Sequence, residues 1–161
     1  MTQPHQTATS VPVSIRGVVV RDELVVLLKN ERDEWELPGG SIKIGETPAQ
    51  CVAREIAEET RWLVSTGPLL DAWMYQVMPG QHMFVVVYGC YLTSGSDPVL
   101  GHEHKEIGLF TENEVAELVM PEDYKRSVAM WFARLHHGSG KDPLTAAGHR
   151  ASAADAARTV C

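Results

Sequence analysis

The chain is short of cysteine, of long apolar runs and of positive charge, and each shortage excludes a class of protein. Three cysteines in 161 residues (Cys51, Cys90, Cys161) are an odd number without metal-type spacing. A disulfide framework is therefore not expected, and a reducing, cytoplasmic setting is. The longest clean apolar run, Met83 to Tyr88, falls far below the ~20 residues that span a bilayer. The opening ten residues hold no basic region followed by an apolar stretch, so no signal peptide is expected. Lys plus Arg number 14 against 21 Asp plus Glu, a net charge of −7. That balance argues against a nucleic-acid polymer, which favours a basic stripe. A small anionic ligand stays open, because a bound metal can supply the positive charge. No repeat with a period of 20–50 residues is visible.

What is present suits one domain. The length fits a single core, and 44% hydrophobic residues are enough to build it. Residues 1–10 carry neither fixed charge nor apolar periodicity and read as a disordered lead-in. From Gly138 alanine and small polar residues dominate, and 138–161 reads as a flexible tail with little to bury. The tail carries one net positive charge, which leaves −8 on the core, 11–137.

Periodicity within the core changes several times. Val13–Val20 and Glu23–Lys29 are rich in β-branched residues and read as a hairpin turning at Arg21-Asp22. Trp35-Glu36-Leu37 is a short extended piece ended by Pro38-Gly39-Gly40. A helix is expected from Pro48 to about Thr60, then strands over Leu69–Val77 and Met83–Leu92 and a short strand over Ile107–Phe110. Helices are expected over Thr111–Leu118 and Pro121–His136, the second burying Tyr124, Val128, Trp131 and Leu135. Strands first, helices last and one helix in mid-chain predict an α/β (α+β) fold with a mixed sheet between helices.

The mid-chain helix has a well-marked start. Thr47 suits the N-cap, Pro48 the first helical position, and Gln50 completes a capping box. Ala49, Val52, Ala53, Ile56 and Thr60 share one face, which is expected to be buried. Glu55, Glu58 and Glu59 share another stripe, at spacings of three and four. They repel one another and lie near the negative end of the helix dipole. Two readings fit such a stripe: a solvated acidic face, or a site for a hard divalent cation, which prefers carboxylate oxygen.

The flanking residues favour the cation. The segment from Gly40 runs through five residues to Glu46 and seven more to Arg54-Glu55-Ile56-Ala57-Glu58-Glu59-Thr60-Arg61-Trp62. This resembles the box of the Nudix hydrolase family: glycine, five residues, glutamate, seven residues, then Arg-Glu-apolar-x-Glu-Glu-x-Gly-apolar. Trp35-Glu36-Leu37-Pro38-Gly39-Gly40 is similar to the family's approach to the box. Arg61 stands where the family has glycine, and Lys43 where relatives often have an acid. The first departure bears on the helix cap, because a left-handed cap costs a non-glycine residue about 1 kcal/mol.

The resemblance implies a Nudix-like α/β/α sandwich over 11–137 that hydrolyses a nucleoside diphosphate derivative with Mg²⁺, or Mn²⁺ in its place. It implies that Glu55, Glu58 and Glu59 bind the ions with the Gly40 carbonyl, that Glu58 is a candidate base, and that Arg54 orients Glu58. Glu46 and Gly39 are expected to be structural. A further acid from a later loop is expected to be Glu103 rather than Glu106, which directly precedes a strand. His102 and His104 read as exposed loop histidines, and Cys51 as a packed thiol. Arg16, Trp35, Trp73, Tyr75 and Phe84 are candidates for the substrate pocket, with Arg16, Trp35 and Tyr75 preferred. The partner expected is a small nucleotide, with a second copy of the chain as a further candidate, and neither a nucleic-acid polymer nor a membrane. The alternative is a Nudix-fold module that binds nucleotides without catalysis.

Overall fold

A computed structural model describes residues 10–138. The readings of residues 1–9 as a lead-in and of 139–161 as a tail lie outside the described residues. The elements are β1 (Val13–Arg21), β2 (Leu24–Lys29), β3 (Trp35–Glu36), β4 (Gly39–Ser41), α1 (Pro48–Thr60), β5 (Leu63–Met78), β6 (Gln81–Ser94), β7 (Glu106–Phe110), α2 (Glu112–Glu117) and α3 (Glu122–Gly138). The strands order as β3-β2-β1-β6-β5, with β4 also on β1 and β7 also on β2. β1 runs parallel to β6 and every other pairing is antiparallel, so the sheet is mixed.

Period-two alternation gives the sheet two apolar faces. On one, Val18, Val25, Leu27, Leu37 and Val85 pack against Tyr124, Val128, Trp131 and Phe132 of α3. On the other, Ile15, Val19, Val26 and Cys90 pack against Cys51, Val52 and Ile56 of α1. The result is the expected helix–sheet–helix layering. Gly17 lets α1 close on β1: a Cβ there would lie 2.7 Å from the Ile56 side chain.

Four local expectations change. The first turn is Asp22-Glu23 rather than Arg21-Asp22, with φ of 51° and 62°. Both residues are left-handed, as a two-residue hairpin matched to the twist of its strands requires. β5 starts at Leu63, well before Leu69, because Gly67 and Pro68 are absorbed in register shifts against β6 rather than ending the strand. Gly39-Gly40 does not merely end an extended piece but forms β4 against β1, with Ile15 opposite Gly40. The buried face of α1 is also rotated from the expected one. Ala49 is exposed and Ala53 half-buried, while Cys51, Glu55 and Glu59 join Val52, Ile56 and Thr60 inside. β4 covers that flank, so part of the acidic stripe turns inward.

The helix start is as expected, with Thr47 and Gln50 completing both halves of the capping box. At the other end Arg61 takes the left-handed cap, at φ 64° and ψ 9°, and its N–H donates to Ala57 O. Its side chain is exposed. The glycine it replaces would carry no steric cost there, so Arg61→Gly should stabilise the fold by about 0.5–1 kcal/mol. In thermal unfolding that corresponds to a Tm rise of about 1–4 °C for a domain of this size. A fall in Tm would show that the arginine stem contributes more than the strained backbone costs.

Candidate active site

Two glycines bring backbone and carboxylate together. Gly39 has φ of 146°, and a Cβ there would lie 2.1 Å from Ile15 O. Only glycine lets the chain lie this close to β1. At Gly40 a Cβ would meet the Glu55 carboxyl group at 2.7–2.8 Å. β4 is thereby wedged between β1 and the acidic flank of α1.

On that flank Glu55 is 9% exposed and Glu59 4%, so both carboxyls have left bulk water. The Gly39 N–H donates to Glu59 Oε2 at 2.8 Å. Burial outweighs that bond and pushes the Glu59 carboxyl up to about 7. Glu58 stays exposed at the rim.

Arg54 joins the acids into one network. Its Nη1 donates to Glu55 Oε1 at 2.7 Å and to both Glu58 oxygens at 3.3 Å. Its Nε and Nη2 donate to the two oxygens of Glu46, an arrangement that fits the planar guanidinium. The expectation that Arg54 serves Glu58 is therefore incomplete, since Glu46 and Glu55 hold it more closely. The Arg54 hydrogen bonds, with one from the Lys43 N–H, lower the Glu46 carboxyl to about 2. Glu46 thus ties the loop before α1 to Arg54.

These groups line a cleft of about 680 Å³. Glu103, His104, Arg16 and Lys43 also line it. Two backbone bonds dock the loop bearing Glu103 on the end of α1: Val99 N–H to Thr60 O at 2.9 Å and Gly101 N–H to Glu59 O at 3.0 Å. Glu106 is not in the cleft and instead pairs with Lys29 at 3.2 Å.

His104 departs from expectation. It is not an exposed loop histidine: its side chain is 9% exposed, and its Nε2 lies 2.9 Å from Glu36 Oε1. The Glu36 hydrogen bond, with the charge of nearby Glu59, raises the imidazole pKa above its ordinary value. His102 is exposed, as read. Cys51 is a buried thiol whose Sγ lies 3.8 Å from Gly40 O, and burial raises it to about 11.

Of the pocket candidates, Arg16 alone lines the cleft among the described residues. Its guanidinium donates to Leu37 O at 2.9 Å and to Ser14 Oγ at 3.0 Å, and lies 3.6 Å from Glu36. Trp35 is buried in the core with its ring edge-on to Phe110. Trp73 and Tyr75 pack against the same core, and Phe84 lies half-buried on β6. The reason for Trp35 is alternation: Trp35 and Leu37 take the core face of their strand and Glu36 takes the cleft face. That alternation is the signal the sequence carries for Glu36, which no motif marks.

The donor set suits a hard divalent cation. Glu55, Glu58, Glu59 and the Gly40 carbonyl offer only oxygen, and two of the carboxyls are buried beside one another. Among the described residues no three histidine, cysteine or acidic side chains already meet at one point.

Known proteins resemble this chain in sequence and in fold. The NUDIX domain model matches residues 11–132. A MutT-like protein of Streptomyces ambofaciens is 34% identical over 122 residues, covering 73% of this chain and 76% of that one. YjhB of Bacillus subtilis (strain 168), whose name as an ADP-ribose pyrophosphatase is provisional, is 30% identical over 132 residues. That match covers 79% of this chain and 63% of YjhB. The crystal structure of a MutT NUDIX hydrolase from Burkholderia pseudomallei superposes with a TM-score of 0.64 at 24% identity, over 75% of this chain and 98% of that one. The chain belongs to the Nudix family and is a Nudix hydrolase.

Proposed function

We propose that the cleft hydrolyses the pyrophosphate link of a nucleoside di- or triphosphate derivative, in a Mg²⁺-dependent reaction that Mn²⁺ also supports. Water adds to one phosphorus and the bridging oxygen leaves, giving a nucleotide monophosphate and a second phosphorylated product. The observation that carries this reading is the pair of buried carboxylates, Glu55 and Glu59, beside the exposed Glu58. A binding surface for an anionic nucleotide gains nothing from such a cluster unless cations join it.

Glu55, Glu58, Glu59 and the Gly40 carbonyl would hold the ions, with Glu103 added from the docked loop. When bound, such ions neutralise phosphate oxygens and lower the pKa of a coordinated water. Glu58 is the candidate to take the proton of the attacking water, because its carboxylate is exposed at the cleft rim. Arg54 holds Glu55 and Glu58 in register, and Glu46 holds Arg54. Arg16 and Lys43, both in the lining, would present positive charge to the anionic substrate. The provisional name of YjhB makes ADP-ribose the first substrate to test.

The test is a panel of ADP-ribose, nucleotide sugars, dinucleotides and ordinary and oxidised nucleoside triphosphates, incubated with and without Mg²⁺, with products identified by mass spectrometry. At least one member should yield a nucleotide monophosphate only when the metal is present. Failure of every member, or equal hydrolysis in chelator, contradicts the reading. With the best substrate, Glu58→Gln should lose activity by at least about a hundredfold, the low end for a proton-transfer residue. Near-normal turnover in that variant, with an unchanged Tm, would assign the base elsewhere.

A further inference from the structure

The Glu36–His104 pair has no part in the reaction as described so far, yet it borders the buried acids. His104 Nε2 is committed to Glu36 Oε1 at 2.9 Å. Glu36 is itself fixed from two other sides, by Asn30 Nδ2 at 3.2 Å and the Arg16 guanidinium at 3.6 Å. The ring therefore has one orientation, and its other nitrogen, Nδ1, faces Glu59 Oε1 at 3.9 Å. The backbone around it is pinned as well. Gly101 N–H donates to Glu59 O and Lys105 N–H to Lys29 O, both at 3.0 Å.

Glu59 is thus bounded on both oxygens. Oε2 accepts the Gly39 N–H, and Oε1 has the imidazole edge as its neighbour. A buried carboxylate with one oxygen fixed can still pivot about that oxygen and swing the other. A rigid ring beside that second oxygen limits the swing.

We propose that His104, anchored by Glu36, is a positioning residue that sets the orientation of the Glu59 carboxylate and through it the affinity of the site for a divalent cation. The pair acts on the geometry of Glu59 and does not itself touch the ion. This rests on the proposed role of Glu59 as a ligand. Groups that orient metal ligands in this way typically contribute about 10–100-fold in affinity.

The experiment measures Mn²⁺ binding by electron paramagnetic resonance on the full chain without substrate. His104→Gln keeps a polar group near the Nε2 position, able to reach Glu36, and removes the group facing Glu59. It should weaken Mn²⁺ binding by about tenfold with little change in Tm. Glu59→Gln should weaken binding too. The double variant Glu59→Gln/His104→Gln should bind no worse than Glu59→Gln alone, since His104 acts only through Glu59. If His104→Gln fails to fold, His104→Met, which is similar in length and also removes the group facing Glu59, replaces it in the same cycle with the same loss expected. Unchanged Mn²⁺ affinity in the folded histidine variant overturns the proposal and leaves the proposed function standing. An equal further loss in the Glu59→Gln background overturns it as well, by showing that His104 acts independently. Absence of Mn²⁺ binding to the unmodified protein overturns both.

Discussion

The structure turns on the burial of two neighbouring glutamates, Glu55 and Glu59, on the flank of α1. Removing a carboxylate from water costs several kcal/mol unless charge and hydrogen bonds replace the solvent. Each nearby feature answers part of that cost. β4 supplies an N–H to Glu59 because Gly39 can lie against β1 where no side chain fits. Arg54 supplies a guanidinium to Glu55, and Glu46 anchors that guanidinium from the far side. Burial still dominates at Glu59, whose carboxyl is raised to about 7.

The fold delivers the remaining parts from separate elements. β1 contributes Arg16, β3 contributes Glu36, and the segment before β7 contributes Glu103 and His104. The last segment is far from α1 in sequence, and the Val99 and Gly101 N–H groups, which donate to the carbonyls of Thr60 and Glu59, place it beside the helix end. The left-handed Arg61 lies at that same end and turns the chain into β5. The site is therefore assembled by backbone contacts as much as by the helix that carries its acids.

Much of this was legible in the sequence. Thr47, Pro48 and Gln50 marked the start of α1, because capping is local chemistry with few alternatives. The glutamate spacing placed Glu55, Glu58 and Glu59 on one stripe, and the resemblance of the surrounding box gave that stripe a purpose. What periodicity could not supply was depth. Apolar residues mark a buried face, so Ala49 seemed inside and Glu55 and Glu59 did not, whereas β4 decides which flank is covered. The burial of His104 is hidden from the sequence for the same reason. Nothing local shows that a histidine in a polar loop will meet Glu36, 68 residues earlier. Trp35 was a pocket candidate by residue type, yet alternation in its own strand turns it to the core and Glu36 to the cleft.

The most direct test of the central claim is a crystal grown or soaked with Mn²⁺, with its anomalous scattering measured. Anomalous peaks are expected within bonding distance of oxygens of Glu55, Glu58 or Glu59 and near the Gly40 carbonyl, as suits a small hard cation. Glu58 is also expected to have turned toward the buried pair. Mn²⁺ bound elsewhere, with Arg54 still bonded to Glu55 and no peak between the three carboxylates, would contradict that claim.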